Sequence, residues 1–228
     1  VGGSQVPSHL ISSAVQLGIP VHTSYGLSEM SSQVCTSHCH EEIQDTYSSG
    51  TCLPYRELRV KEDGHIQVRG KTLFQGYCIN DWVHQERSVD DWFNTNDTGE
   101  IDHGGNLWVT GRIDRQFISG GENIQPEEIE LQLLAHPSIQ SAVVIAIENN
   151  TFGHRPVAIV DTSVPVTRQA LIQFLEERIE RYKVPDQIYE WPTHMATRTG
   201  HKPNIVALKK VLESGKLVPI QSLSEAKA

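Results

Sequence analysis

The spacing of apolar residues changes near Arg112, and this change constrains the fold more than any other feature of the sequence. Before it, from about residue 51, short strand-like stretches alternate with turn residues, a pattern typical of antiparallel sheets. After it, apolar residues recur at helical spacing, and helical segments alternate with strand-like ones. Because a single simple sheet or helical bundle cannot satisfy both patterns, we predict two domains. They comprise residues 1–112 and 113–228, with the connection at residues 111–114.

The first predicted domain combines two kinds of structure. Residues 7–17 carry apolar side chains on one helical face, and residues 19–23 resemble a short strand. Together they indicate the helix–strand unit of an α/β fold. The stretch 51–111 is predicted to be mostly antiparallel sheet. Its strands are expected at residues 55–60, 65–68, 99–102 and 107–110. The fold class of this part is therefore the end of an α/β subdomain followed by an antiparallel β subdomain.

The second predicted domain is a small α+β unit. Pro126 suits the first position of a helix, and Glu127 and Glu128 lie where the helix dipole favours negative charge. Asn123 or Gln125 is expected to cap this helix. Strands are expected at residues 141–147, 156–161 and 187–191, and two further helices at residues 171–182 and 205–212.

Charge and hydropathy exclude several classes of protein. The formal net charge is −9, and no run of five or six like charges occurs, which argues against a nucleic-acid surface. No stretch approaches the roughly 18 apolar residues that a membrane-spanning helix needs, and no charged-then-apolar leader opens the chain. We therefore expect a soluble, cytoplasmic protein without a membrane span. Because Val1-Gly2-Gly3-Ser4 lacks an initiator Met, we also expect a piece of a longer protein.

Four cysteines, Cys35, Cys39, Cys52 and Cys78, are too few and too clustered for the disulfide framework of a small secreted fold. The run from Cys35 to His40 holds four soft metal ligands within six residues, which raises the hypothesis of a zinc site. No second ligand pair follows at zinc-finger spacing. We therefore favour a solvated loop with reduced thiols and expect no zinc.

The segment Ser24-Tyr25-Gly26-Leu27-Ser28-Glu29 follows a predicted strand, where open α/β sheets bind ligands. Tyr25 offers a face for stacking, Ser28 a hydroxyl for a phosphate oxygen, and Glu29 a hard oxygen ligand suited to magnesium. The alternative is a strand-to-helix turn with a serine cap.

Three further positions have chemistry suited to a nucleotide. Asp97, beside a predicted hairpin, can accept hydrogen bonds from both ribose hydroxyls, although it can also simply cap the turn. Arg112 can bridge ribose and phosphate with its planar guanidinium. Gly120-Gly121 lets the backbone approach a ligand closely or present successive N–H groups to an anion.

The order of three motifs, YGLSE, then TND, then GRIDRQFISGGENIQPEEIE, closely resembles the adenylate-forming superfamily of acyl-CoA synthetases, luciferases and peptide-synthetase adenylation domains. The resemblance covers nearly the whole chain, as the carboxyl-terminal half of such an enzyme. Within the superfamily, the segments SGGENIQPEE and FGHRPVA are most similar to the o-succinylbenzoate–CoA ligases of menaquinone biosynthesis. The resemblance implies that residues 1–112 end a large nucleotide- and acyl-binding domain and that residues 113–228 form a small mobile lid.

The resemblance also implies a role for each matching position. Tyr25 would stack on adenine, Ser28 would touch phosphate, Glu29 would hold magnesium, Asp97 would hold ribose, and Arg112 would contact ribose or phosphate. Gly2, Gly3 and Ser4 would line the acyl and adenine pocket, Gly26 would be a further cofactor-binding position, and Asp114 would be the hinge. Ser119, Gly120, Gly121 and Glu122 would shape the pantetheine tunnel. Lys202 would be the catalytic lysine of adenylation, although the family pattern has Gly where this chain has His201 and Arg where it has Ile205.

The activity implied by the resemblance is that of an acid–thiol ligase whose co-substrates are ATP with Mg²⁺ and CoA. It would adenylate o-succinylbenzoate and transfer the acyl group to CoA. Two alternatives stay open: a ligase for another aryl or medium-chain carboxylate, and a catalytically silent fragment that binds nucleotide or CoA. The chain contains no Ser/Thr/Gly-rich phosphate loop ending in Lys, so we expect it to be inactive alone. The expected partners are small molecules, with self-association into a homo-oligomer left open.

Overall fold

The computed structural model describes residues 1–3, 6, 8–38, 47–79, 82–84, 90–193, 195 and 203–220. The chain forms two compact units, Val1–Asp114 and Arg115–Ala228, which are described separately below. Both mix helices with sheets that are largely antiparallel. Among the described residues, no helix has both the length and the apolar character needed to cross a lipid bilayer.

The described residues of the first unit form one α-helix and three antiparallel sheets. Its elements are α1 (Ser8–Gln16), β1 (Ser24–Leu27), β2 (Ser32–Thr36), β3 (Thr51–Cys52), β4 (Arg56–Val60), β5 (His65–Gly70), β6 (Tyr77–Ile79), β7 (Trp82–His84), β8 (Phe93–Ile101) and β9 (Leu107–Arg112). The strand orders are β1-β2-β3, β4-β5-β8-β9 and β6-β7. A shared apolar core, which includes Met30, Val34, Ile66 and Leu107, packs residues of the first two sheets together. The antiparallel sheet predicted for this region is confirmed.

The strand predicted at residues 19–23 is wrong. Pro20 has no N–H to donate, and the N–H of Thr23 donates to the Ser37 hydroxyl at 2.9 Å instead of to a neighbouring strand. Regular pairing begins one residue later, where β1 runs from Ser24 to Leu27 against β2. The segment predicted to follow a strand therefore forms the strand itself.

Gly26 lies at an irregularity in the pairing of β1 with β2. A Cβ atom at this position would lie 2.4 Å from the carbonyl oxygen of Ser32 and 2.8 Å from the Cα atom of Gln33. Both neighbours are backbone atoms, so they cannot move aside as a flexible side chain can. Only glycine lets the two strands approach this closely.

Replacing Gly26 with alanine should destabilise the β1–β2 pair by about 1–3 kcal/mol, the usual cost of forcing an extra carbon into a tightly packed site. Amide hydrogen exchange of β1 and β2 measures this directly. Gly104→Ala is a suitable control, because its nearest neighbours are side-chain atoms of Asn106 and Asp102 at 3.2 and 3.3 Å. Equal effects of the two substitutions would contradict the prediction.

The second unit is one sheet with helices on both faces. Its elements are β10 (Phe117–Ser119), β11 (Glu122–Ile124), α2 (Pro126–Leu134), β12 (Ile139–Asn149), β13 (Gly153–Thr162), α3 (Arg168–Glu176), β14 (Gln187–Glu190) and α4 (Ile205–Glu213). The strand order is β11-β10-β13-β12, with β14 parallel to β13. Val144 of β12 packs with α2 and α3, whereas Val143 and Ile145 pack with α4. The alternation of β12 side chains thus places helices on opposite faces.

Helix α2 begins at Pro126 as predicted, but its predicted cap is wrong. Gln125 occupies the capping position without a side-chain bond to the helix backbone. Its Nε2 instead donates to the carboxylate of Glu127 at 2.5 Å. The short strands β10 and β11 were not predicted, because the glycines between them were interpreted as part of a loop.

Candidate functional site

Asp97 joins two residues that are distant in sequence. The phenol of Tyr25 donates to its Oδ2 at 2.7 Å, and Nη1 of Arg112 donates to its Oδ1 at 3.3 Å. Arg112 reaches it because β8 and β9 pair with Asp97 directly opposite Arg112. Three of the residues that the sequence indicated for nucleotide binding therefore form one hydrogen-bonded cluster.

Burial further favours the neutral form of the Tyr25 phenol, which is already protonated near neutral pH at its ordinary pKa. Its side chain is buried, and desolvation, followed by the negative charge of Asp97, raises the pKa of its phenol above the usual range. The phenol therefore remains a hydrogen-bond donor throughout the physiological range. The Asp97 side chain is 16% exposed.

Arg112 also binds Asp114, the residue that the resemblance implies is the hinge. Its Nε and Nη2 donate to the two carboxylate oxygens of Asp114 at 2.9 and 3.0 Å, the bidentate geometry that Arg favours. The guanidinium thus connects Asp97 of β8 to Asp114, the last residue of the first unit.

Ser28 and Glu29 begin a short 3₁₀ helix, Ser28–Met30, directly after β1. The capping residue is Leu27 and makes no side-chain cap bond, so the alternative of a serine cap at Ser28 is not realised. The Glu29 carboxylate is partly exposed and accepts a hydrogen bond from the phenol of Tyr77 at 2.7 Å. Sequence analysis did not indicate Tyr77, which lies 48 residues away along the chain.

The donor chemistry at Glu29 fits magnesium held together with a nucleotide. Within the described ranges, no group of three or more His, Cys, Asp or Glu side chains is arranged to hold a metal ion by itself. Magnesium does not require such a cage, because it commonly binds one or two carboxylates together with substrate phosphates and water. A single partly exposed carboxylate after β1 meets that requirement.

Gly2 lies against the start of β1. The N–H of Ser24 donates to the carbonyl of Val1 at 3.0 Å, and a Cβ atom on Gly2 would lie 2.4 Å from the Ser24 hydroxyl oxygen. The neighbouring Gly3 has a φ of +89°, which favours glycine. Gly2 therefore lies beside Ser24, the residue before Tyr25, although it is distant from both along the chain. Ser4 lies outside the described residues.

The Ser119–Glu122 segment is a tight β-hairpin. Ser119 pairs with Glu122, and φ is +61° at Gly120 and +92° at Gly121, as in the type I′ turns that connect adjacent strands. The amide of Gly120 donates to the carbonyl of Phe152 at 2.9 Å. The turn is therefore a rigid, glycine-dependent structure and presents little side-chain bulk.

Arg155 holds this hairpin to the rest of the second unit, a role that the sequence did not indicate. Its Nη1 donates to the Ser119 hydroxyl at 3.3 Å and to the carbonyl of Tyr182 at 2.5 Å. Its Nε and Nη2 donate to Oδ1 of Asp186 at 3.0 and 2.7 Å. The Arg155 side chain is only 12% exposed, whereas that of Asp186 is 41% exposed, so the bonds to the hairpin are better shielded from solvent than those to Asp186.

Cys35 is not part of a solvated loop, so that interpretation is wrong for this residue. It belongs to β2, is 1% exposed and lies directly opposite Cys52 of β3. Burial raises the pKa of its thiol to about 12. Cys39 and His40 lie outside the described residues. The same is true of Lys202, the candidate for the adenylation lysine.

Comparison with known proteins gives a consistent set of relatives. Residues 128–201 match the AMP-binding enzyme C-terminal domain. The chain is 37% identical over 198 residues to the 2-succinylbenzoate–CoA ligase of Bacillus cytotoxicus, covering 83% of this chain and 41% of that protein. It is 34% identical over 195 residues to the enzyme of the same name from Salmonella typhimurium, covering 86% of this chain and 42% of that protein.

Solved structures agree with these relatives. A variant of E. coli MenE with bound OSB-AMS superposes with a TM-score of 0.82 at 29% identity, covering 94% of this chain and 46% of that one. The o-succinylbenzoate CoA synthetase (MenE) from Bacillus subtilis, in complex with the acyl-adenylate intermediate OSB-AMP, gives a TM-score of 0.77 at 31% identity. The superposition covers 83% of this chain and 41% of that one. The same Bacillus subtilis enzyme has been solved with ATP and a magnesium ion. That structure gives a TM-score of 0.74 at 30% identity, covering 83% of this chain and 42% of that one. The chain therefore spans less than half the length of these relatives.

Proposed function

We propose that this chain, whose residues 128–201 belong to the AMP-binding enzyme C-terminal domain family, is the carboxyl-terminal part of an ATP-dependent o-succinylbenzoate–CoA ligase. The geometric observation that carries the proposal is the cluster of Tyr25, Asp97 and Arg112. Its buried aromatic ring, carboxylate and guanidinium suit a nucleoside. The choice of o-succinylbenzoate is supported by relatives named 2-succinylbenzoate–CoA ligase at 34–37% identity. Such an enzyme would act in the cytoplasm.

The proposed reaction has two steps. First, an oxygen of the substrate carboxylate attacks the α-phosphorus of ATP, the bond to the bridging oxygen breaks, and pyrophosphate leaves. Then the sulfur of CoA attacks the acyl carbon, the carbon–oxygen bond to AMP breaks, and the thioester forms. Both steps need the nucleotide held in one orientation, since correct placement supplies much of the rate in such transfers.

Each candidate residue has a proposed role in holding the nucleotide. Tyr25 would stack on adenine, Asp97 would accept the ribose hydroxyls, and Arg112 would contact ribose or phosphate. Ser28 would contact phosphate, while Glu29 would hold magnesium, which offsets the negative charge gathering at phosphorus. The pocket wall would be formed by Gly2, Gly3, Ser4 and Gly26. Lys202 is proposed as the adenylation lysine.

Asp114 is proposed as a hinge between the two steps, with the Ser119–Glu122 hairpin serving the thioester step. Asp114→Pro should then slow thioester formation much more than adenylation, because proline fixes φ where a hinge must change it. Single-turnover assays of the full-length protein separate the two rates. Equal slowing of both steps would contradict the hinge.

The identity of the acid substrate is tested with the full-length protein that contains this chain. The protein is given ATP, Mg²⁺, CoA and equal amounts of o-succinylbenzoate, benzoate, coumarate and hexanoate, and the products are identified by mass spectrometry. A dominant o-succinylbenzoyl-CoA product supports the proposal. If a different thioester dominates, the proposed ligase activity stands, but the assignment of o-succinylbenzoate as the substrate is wrong. Nucleotide binding without any thioester would favour a catalytically silent protein.

The chain by itself is expected not to make acyl-adenylate. The expectation depends on its lack of a Ser/Thr/Gly-rich phosphate loop ending in Lys, since that loop would hold the pyrophosphate portion of ATP. Exchange of labelled pyrophosphate into ATP should therefore be at background for the isolated chain and robust for the full-length protein. Robust exchange by the isolated chain would contradict the prediction.

A further inference from the structure

The phenol of Tyr77 contacts the Glu29 carboxylate directly. It donates to Oε1 of Glu29 at 2.7 Å, a normal length for such a bond. The contact joins β6 to the 3₁₀ helix that follows β1. The bond engages one oxygen of the carboxylate, so the other can face a bound group.

The Tyr77 ring is itself held in place by packing. It meets Phe74 edge to face with ring centroids 4.8 Å apart, and Phe74 meets Phe93 in the same way at 5.3 Å. Phe93 is 4% exposed and belongs to the core of the first unit. The phenol oxygen therefore projects from a chain of aromatic rings anchored in the core, which limits its motion.

The segment that carries Tyr77 also holds the backbone of Glu29. The amide of Phe74 donates to the Glu29 carbonyl at 2.7 Å. Two residues further along, the Ser31 hydroxyl donates to the carbonyl of Thr72 at 3.0 Å. Residues 72–77 thus fix both the short helix and the carboxylate that projects from it. A bond that served stability alone could end on any acceptor. The Tyr77 bond instead ends on the carboxylate that is proposed to bind magnesium.

We propose that Tyr77 is a positioning residue that orients the Glu29 carboxylate toward the Mg²⁺ of bound Mg·ATP. The inference rests on the proposed function, because Glu29 is assigned to magnesium there. Groups that hydrogen-bond to a metal ligand fix its orientation, and their loss typically lowers metal affinity or activity about 10- to 100-fold. Free rotation of Glu29 in the absence of Tyr77 would have this effect.

The test measures nucleotide binding by the full-length protein with Tyr77→Phe, using isothermal titration calorimetry. ATP is titrated once with excess Mg²⁺ and once in EDTA. Because the variant keeps the ring and its packing, ATP affinity in EDTA should stay within about twofold. Affinity for Mg·ATP should fall about 10- to 100-fold. A purely structural role for Tyr77 would lower both affinities together.

Tyr55→Phe is the matched control, because it also removes one phenol oxygen from the first unit. Tyr55 is 71% exposed, and its ring lies 5.4 Å from the ammonium of Lys71. The control should leave both affinities unchanged. In a Glu29→Gln background, Tyr77→Phe should cause no further loss specific to Mg·ATP, because the carboxylate it orients is already gone.

The outcomes separate the inference from the function on which it rests. If the unsubstituted protein binds ATP no better with Mg²⁺ than in EDTA, the magnesium role of Glu29 is wrong, and the role of Tyr77 with it. If Mg²⁺ strengthens binding equally in the unsubstituted protein and in Tyr77→Phe, only the role of Tyr77 is overturned. Loss of Mg·ATP affinity alone in Tyr77→Phe supports both.

Discussion

Replacing Arg115 with alanine is expected to destabilise the second unit by about 3–5 kcal/mol, the usual cost of removing one partner from a buried ion pair. Arg115 donates to Glu127 at 2.8 Å and to Glu130 at 2.6 Å, and these side chains are at most 16% exposed. It also donates to the carbonyl of Val144 at 3.1 Å. Without the guanidinium, two carboxylates would lose their charged partner and a strand carbonyl would lose one hydrogen-bond donor.

The same network includes Arg115, the first residue of the second unit. Oε1 of Glu130 also accepts from the amide of Val144 at 2.7 Å, so the first residue of the unit is tied to α2 and β12 together. Arg115→Lys should recover only part of the loss. Lysine keeps the charge, but its ammonium cannot reproduce the planar fork that reaches the carboxylates and the carbonyl.

Hydrogen exchange of the β12 and β13 amides is the appropriate measurement, because it reports on the second unit separately from the first. Arg178→Ala provides the control: its ion pair with Glu177 is exposed on both sides, so the expected cost is about 1 kcal/mol or less. If Arg115→Ala costs no more than this control, the network does not stabilise the unit.

A pH dependence adds a second check on Arg115→Ala. Burial raises the pKa of Glu130, and Arg115 opposes that rise, so removing Arg115 should raise the pKa further. A carboxyl group whose folded pKa exceeds its unfolded pKa adds stability at low pH, and this is lost as pH rises through the folded pKa. The stability gap between variant and unsubstituted protein should therefore narrow as pH falls from 7 toward 5.

Replacing Asp97 with asparagine should weaken ATP binding to the full-length protein at least about 100-fold. Two hydrogen bonds from ribose hydroxyls to a charged acceptor contribute about 1.5–3 kcal/mol each, and about 1.4 kcal/mol corresponds to a factor of ten. The substitution keeps the shape of the side chain but replaces one acceptor with a donor. It also removes the charge that Arg112 faces.

Deoxynucleotides distinguish a ribose contact from a general disturbance of the site. In the unsubstituted protein, 2′-deoxy-ATP and 3′-deoxy-ATP should each bind more weakly than ATP. In Asp97→Asn, the penalty for each missing hydroxyl should be clearly smaller, because a neutral amide oxygen replaces the charged acceptor that distinguishes the nucleotides. If the penalty for each missing hydroxyl persists undiminished in the variant, Asp97 does not hold the ribose.

Asp102→Asn is the control within the same hairpin. Asp102 accepts from the amides of Gly104 and Asn106 at 2.9 Å and from the indole of Trp108 at 2.9 Å, so it holds the turn between β8 and β9. Replacing Asp102 should lower the stability of the first unit and leave the affinity of the folded protein for ATP unchanged. This separates loss of the hairpin from loss of the nucleotide contact.

The sequence by itself determined the main elements of the second unit. Apolar spacing predicts helices where α2, α3 and α4 lie and strands where β12, β13 and β14 lie, because one face of each must be buried. Pro126 marks the start of α2, since proline is suited to the first helical turn. The motif order alone identified the superfamily, which the comparisons support.

Only the tertiary structure decided which side chains meet. Nothing in the spacing of Tyr25, Asp97 and Tyr77 predicts that two phenols donate to two different carboxylates, because the residues of each pair lie in elements that do not pair as strands and meet only through tertiary packing. The bonds made by Arg155 likewise depend on three segments brought together by packing. Periodicity reports which face of an element is buried, whereas contacts between distant elements depend on register and close approach, as the unpredicted strand β1 and its glycine at position 26 illustrate.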